Sequence, residues 1–172
     1  MKILWFANTP CGASVKLAPG NVSGGWLNAL EEQLGHCEDV ELSICFHWKC
    51  TISPFKIKNT TYYPVASKKR ENFLKRIVCH FLNKPKDGNI FELLHIIEAV
   101  NPDIIHIHGT EKNFGLIQNY IKIPTVVSIQ GILTPYSKKY FSGIPFFNAF
   151  VSEGLVQKYK NKSILIAYND IK

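Results

Sequence analysis

Apolar residues run almost without a break through Lys2-Ile3-Leu4-Trp5-Phe6-Ala7, the pattern of a strand buried on both faces. A polar stretch with glycine and proline follows, from Asn8 to Gly25. Trp26, Leu27, Leu30 and Leu34 then recur at helical spacing. Glu41 to Phe46 predicts a second strand and Thr60 to Ala66 a third. Lys68 to Leu82 is a basic amphipathic helix carrying Phe73, Leu74, Ile77, Val78, Phe81 and Leu82. The apolar positions Ile90, Leu93, Leu94, Ile97 and Val100 make a helical stripe. Asn89 with Glu92 resembles a capping box at its start, and Asn101-Pro102 stops it. Asp103 to His108 predicts the next strand, Phe114 to Tyr120 a short helix, and Thr125 to Gln130 a strand closed by Gly131. Phe147 to Val151 suits a short strand, Glu153 to Tyr159 a helix, and Ser163 to Ala167 a last strand. Strands that alternate with helices and are themselves apolar indicate an α/β fold: a Rossmann-like, mainly parallel sheet with helices on both faces.

A chain of 172 residues, 46% of them hydrophobic, is most simply one domain. Its 20 lysines and arginines against 13 aspartates and glutamates leave a net charge of +7. That balance suits an anionic partner or an ordinary solvated basic surface. The basic residues crowd at Lys68-Lys69-Arg70 and Lys75-Arg76 without the interleaved aromatics of a base-stacking platform, so nucleic acid is not indicated. The opening apolar run is too short for a signal peptide, and no stretch reaches the roughly 18 apolar residues of a membrane span, which predicts a cytoplasmic chain. Five cysteines (Cys11, Cys37, Cys45, Cys50 and Cys79), with no C-x-x-C pair, suit reduced thiols. Cys45, His47 and Cys50 lie close in sequence but match no common zinc spacing, and no D-x-D motif occurs, so no metal is expected.

Candidate chemistry follows from the fold class. Open parallel sheets bind ligands beyond the carboxyl ends of their strands. Three predicted strands end there in small or polar residues: Ala7-Asn8-Thr9, His108-Gly109-Thr110-Glu111 and Gln130-Gly131. Of the two histidines in IIHIHG, His108 is expected at the rim, open to a ligand or else structural. His106, one pleat deeper on the same face, is expected to be structural. Gly24-Gly25 precedes the first predicted helix, where free N–H groups and the helix dipole favour an anion. A plain flexible turn reads the same way. The loop is neither G-x-G-x-x-G nor a Walker loop with its lysine.

KILWFAN, SGGW, PDIIHIHG, VVSIQG, FVSEGLVQKY and SILIAYNDI occur in that order along the chain. Together they resemble the N-terminal domain of retaining glycosyltransferases of the two-domain GT-B type, in the large nucleotide-sugar-dependent family 4. The resemblance covers essentially the whole chain. It implies that residues 1–172 are the acceptor-side domain and that a C-terminal donor-binding domain is absent. It implies transfer of a sugar, with retention, from a nucleotide-sugar substrate to a glycan or lipid-linked acceptor, in bacterial surface polysaccharide synthesis and without an obligatory metal or other cofactor. Gly24 and Gly25 would lie beside the donor pyrophosphate. His108, Gly109, Glu111 and Gly131 would line the substrate cleft, and Gln130 would occupy the catalytic position. That position commonly holds a histidine in the family, and a glutamine can exchange hydrogen bonds but cannot carry a proton. Tyr168-Asn169-Asp170-Ile171 resembles the crossover to the second domain, with its glycine missing. The family's two glutamates separated by seven residues are not among the glutamates here.

Two other readings share these features. A stand-alone Rossmann-like module for sugar phosphates, or a regulatory one, has the same alternation and polar edge. The helix Lys68 to Leu82 could bring the chain to the inner face of an anionic membrane, or simply pack on the sheet with its basic face solvated.

Overall fold

In a computed structural model, the described residues are 1–20, 25–66, 90–109, 113–129 and 165–168. Among them, seven strands form one sheet: β1 (Lys2–Ala7), β2 (Glu41–Trp48), β3 (Phe55–Ile57), β4 (Thr60–Ala66), β5 (Ile104–His108), β6 (Thr125–Ile129) and β7 (Leu165–Tyr168). Their order is β3-β4-β2-β1-β5-β6-β7. All neighbours are parallel except β3, which runs antiparallel to β4. The chain steps outward from β1 to β2 and β4, then returns to β5 on the other side of β1. That reversal makes the β1/β5 boundary the topological switch point of an α/β, Rossmann-like sheet.

The two faces carry separate cores, which explains why the strands show no simple alternation of apolar and polar residues. Leu4, Phe6, Cys45, Ile105, Ile107 and Val127 pack against α3 (Ile90–Val100) and the 3-10 segment Asn113–Asn119. Trp5, Ala7, Leu42, Ile44, Phe46 and Tyr62 face α2 (Gly25–Gly35) and the turn that follows β1. Both faces of the central strands therefore carry a packed core, as the sequence pattern requires.

Three elements escaped the sequence reading. The stretch taken as an irregular polar connection holds a 3-10 turn, Cys11–Ala13, and one helical turn, α1 (Ser14–Leu17). The hairpin strand β3 is three residues long, too short for a periodicity to register. β3 pairs only with Thr60 to Tyr62, leaving the outer side of β4 free where Pro64 lies. The carbonyl of Pro64 points outward and accepts the Ile52 N–H at 3.3 Å. Since N–H and C=O of a strand residue share a side, the missing N–H also falls outside the ladder with β2.

The remaining boundaries follow local chemistry. Asn101 adopts φ 47°, and its N–H closes on the carbonyl of Ile97 at 2.8 Å, so the helix ends in a left-handed cap directly before Pro102. Asp103 then ties the start of β5 to β1, accepting the Lys2 N–H on Oδ2 at 2.7 Å. The expected helix over Lys68 to Leu82, the elements over residues 147–159 and the cap residue Asn89 lie outside the described residues. No helix among the described residues is long and apolar enough to cross a membrane.

Candidate functional site

At the carboxyl end of β5 the chain turns sharply. Gly109 takes φ 88°, a conformation that strains any residue with a Cβ, and its N–H bonds the carbonyl of Ser128 on β6 at 2.8 Å. This fixes the last side chains of β5 against β6 and β1. The pleat puts His106 and His108 on the face of Trp5, and their rings lie 3.8 Å apart between centroids. His106 Nε2 and Ser128 Oγ are 2.7 Å apart, so that imidazole has a fixed partner.

His108 has none. Its ring is 1% exposed, meets Trp5 edge to face at 4.6 Å and Trp26 at 5.5 Å, and leaves both Nδ1 and Nε2 without a hydrogen-bond partner. The expected order of depth, with His108 at the rim and His106 one pleat deeper, is reversed: His106 is half-buried, and His108 is the more enclosed. His108 is packed among Trp5, His106 and Trp26, the last in the first turn of α2 and itself 42% exposed. Burial, then the neighbouring His106, pushes the His108 pKa down to about 3, and burial lowers that of His106. Both rings are neutral near pH 7, and each can donate from one nitrogen and accept at the other.

The turn after β1 packs on the same face of the sheet, in one core with Trp5, Leu27 and Tyr62. Cys11 is fully buried with φ 49°, and burial raises its thiol to about 11. Gly12 donates its N–H to Glu31 Oε2 on α2 at 2.9 Å, and the hydroxyl of Tyr62 on β4 donates to Glu31 Oε1. Burial and the Glu31 carboxylate together push the Tyr62 phenol far above its usual range. A Cβ on Gly12 would come within 2.6 Å of the Tyr62 hydroxyl and 3.0 Å of either Glu31 oxygen, so only glycine fits.

Of the residues the sequence singled out, the structure brings His108, Gly109 and Gly25 to this edge. Gly25 opens α2 with φ 43°. Gly24, Glu111, Gln130 and Gly131 lie outside the described residues. Trp5, Trp26, Ser128, Glu31, Tyr62 and Gly12 were missed. One signal was available, because Glu31 interrupts the stripe of Leu27, Leu30 and Leu34, and a carboxylate on an apolar helix face demands a partner. Among the described residues no group of three His, Cys, Asp or Glu is arranged to hold a metal ion.

No family model matches the chain, and neither does any curated protein. Among solved structures it is similar to the UDP-GlcNAc 2-epimerase of Neisseria meningitidis bound to UDP-GlcNAc, with 14% identity and a TM-score of 0.47. That match covers 96% of this chain and 45% of the epimerase. A putative UDP-N-acetylglucosamine 2-epimerase from Listeria monocytogenes matches with 16% identity and a TM-score of 0.47, over 95% of this chain and 44% of that one. The chain therefore spans less than half the length of either.

Proposed function

We propose that this chain is the acceptor-side domain of a nucleotide-sugar-dependent glycosyltransferase. The observation that carries the reading is His108, buried at the switch point with both ring nitrogens unpartnered. A buried polar group without a partner costs roughly 1–3 kcal/mol. A fold keeps it where a ligand supplies the partner, and the switch point of an open parallel sheet is where ligands bind.

The neutral imidazole suits uncharged hydroxyls, which accept from one nitrogen and donate to the other. Gly109 and, beyond it, Glu111 and Gly131 would line the same substrate cleft. Gly24 and Gly25 at the N-terminus of α2 would face the donor pyrophosphate, and Gln130 would approach the transferred sugar as a hydrogen-bonding group. In this reading the departing phosphate is stabilised by fixed dipoles supplied by two facing domains. A basic surface is compatible with a lipid-linked acceptor at an anionic membrane.

The test is transfer. The coding sequence beyond residue 172 is read for a second α/β half with paired glutamates, and the complete product is assayed with a panel of nucleotide sugars and glycan or lipid-linked acceptors. Glycosylated acceptor detected by mass spectrometry, lost in His108→Phe, is the expected result. Tight binding of sugar phosphates with no transfer by any complete product would favour a stand-alone binding module instead.

A further inference from the structure

Glu31 is a buried carboxylate, 8% exposed, whose two partners here are neutral donors. As a source of stability this is a poor arrangement, since burying a charge is costly and apolar residues of similar volume often serve as well. What it does supply is geometry. One oxygen fixes the backbone of Gly12 and the other is held by Tyr62, so the turn after β1 is tied at once to α2 and to the sheet. Around it Cys11 and Ala13 are fully buried, and the space is filled so closely that a methyl on Gly12 would not fit. The same helix carries Trp26, which packs against His108.

We propose that Glu31 is a positioning residue for the crevice. Its two hydrogen bonds hold the turn Cys11–Ala13 and helix α2 in one register with the sheet, and so set how Trp26 sits against His108. The proposal rests on the crevice being the ligand site. It requires the hydrogen bonds and not the charge: a glutamine can accept from the Gly12 N–H and donate to the Tyr62 oxygen.

The chain contains its own reporters. Cys11 lies in the tied turn and Cys45 in the opposite core, both fully buried, while Cys37 and Cys50 are exposed. Iodoacetamide labelling, mapped by peptide mass spectrometry on the wild-type chain, Glu31→Ala and Glu31→Gln, separates local opening from general loosening. Glu31→Ala should raise the Cys11 rate about tenfold or more with Cys45 unchanged, and Glu31→Gln should stay close to wild type. In NMR spectra of the same proteins, the Trp26 indole and His108 ring signals should shift in Glu31→Ala and return in Glu31→Gln. The proposal falls if Cys11 and Cys45 speed up together, if Glu31→Gln behaves as Glu31→Ala, or if the turn opens while the Trp26 and His108 signals stay put. A complete product that transfers no sugar would remove the functional reading and leave these measurements as they are.

Discussion

The imidazole of His108 meets the indole of Trp5 edge to face, 4.6 Å between ring centroids, and spends neither nitrogen on a hydrogen bond. The residue is packed as a core residue is packed but is not satisfied as one.

His108→Phe should therefore separate stability from activity. A phenyl ring keeps the contacts with Trp5 and Trp26 while removing two unsatisfied buried nitrogens, so the melting temperature should hold or rise. On the proposed function, transfer by the complete product should fall. A melt showing a loss of more than about 1 kcal/mol would mean that the imidazole has a structural bond and is no ligand group.

Acid should destabilise the fold through the same ring. The His108 pKa is lowered in the folded state, to about 3 from 6.5, so the unfolded chain takes up the extra proton between these values. Stability is then lost as pH falls from 6.5 toward 3, at about 1.4 kcal/mol per pH unit for one histidine. His106, also lowered, acts in the same direction. Denaturant midpoints measured across this window should decline less steeply in His108→Phe. Parallel slopes for mutant and wild type would contradict the burial of a neutral ring.

The fold was legible in the sequence where burial dictates it. The apolar run of β1 is forced by two cores, one on each face, and the stripe of α3 by its packing on one of them, and their ends fell where Ala7 and Asn101-Pro102 place them. The site was less legible because it depends on which side chains cross between elements. His106 and His108 could be placed on one face by counting, but their burial depends on rings from other elements, among them Trp26, which helical spacing assigned to a core stripe. The tie between Gly12, Glu31 and Tyr62 joins three elements, and only the odd placement of Glu31 hinted at it.

Gly12→Ala should destabilise the chain by about 1–3 kcal/mol, since the added methyl must displace the Tyr62 hydroxyl, 2.6 Å away, or break the bond to Glu31. Tyr62→Phe removes the atom in the way. In a double-mutant cycle the two substitutions should be less harmful together than their separate effects predict. Additive losses would place the strain elsewhere in the turn.

The last prediction concerns the chain by itself. If its cleft needs a second domain, the 172-residue chain should melt cooperatively and yet transfer no sugar. Cooperative folding is expected because two cores pack on the two faces of one sheet. Inactivity is expected because glycosyl transfer needs donor and acceptor held together by preorganised groups on both sides. The glycine-started α2 could still touch a pyrophosphate through its free N–H groups, but without a nucleotide pocket the affinity should be about millimolar, or roughly 4 kcal/mol. Calorimetric titration with nucleotide sugars, alongside a thermal melt, measures both. Micromolar binding, or turnover by these residues alone, would mean that the site is complete within them and that no second domain is needed.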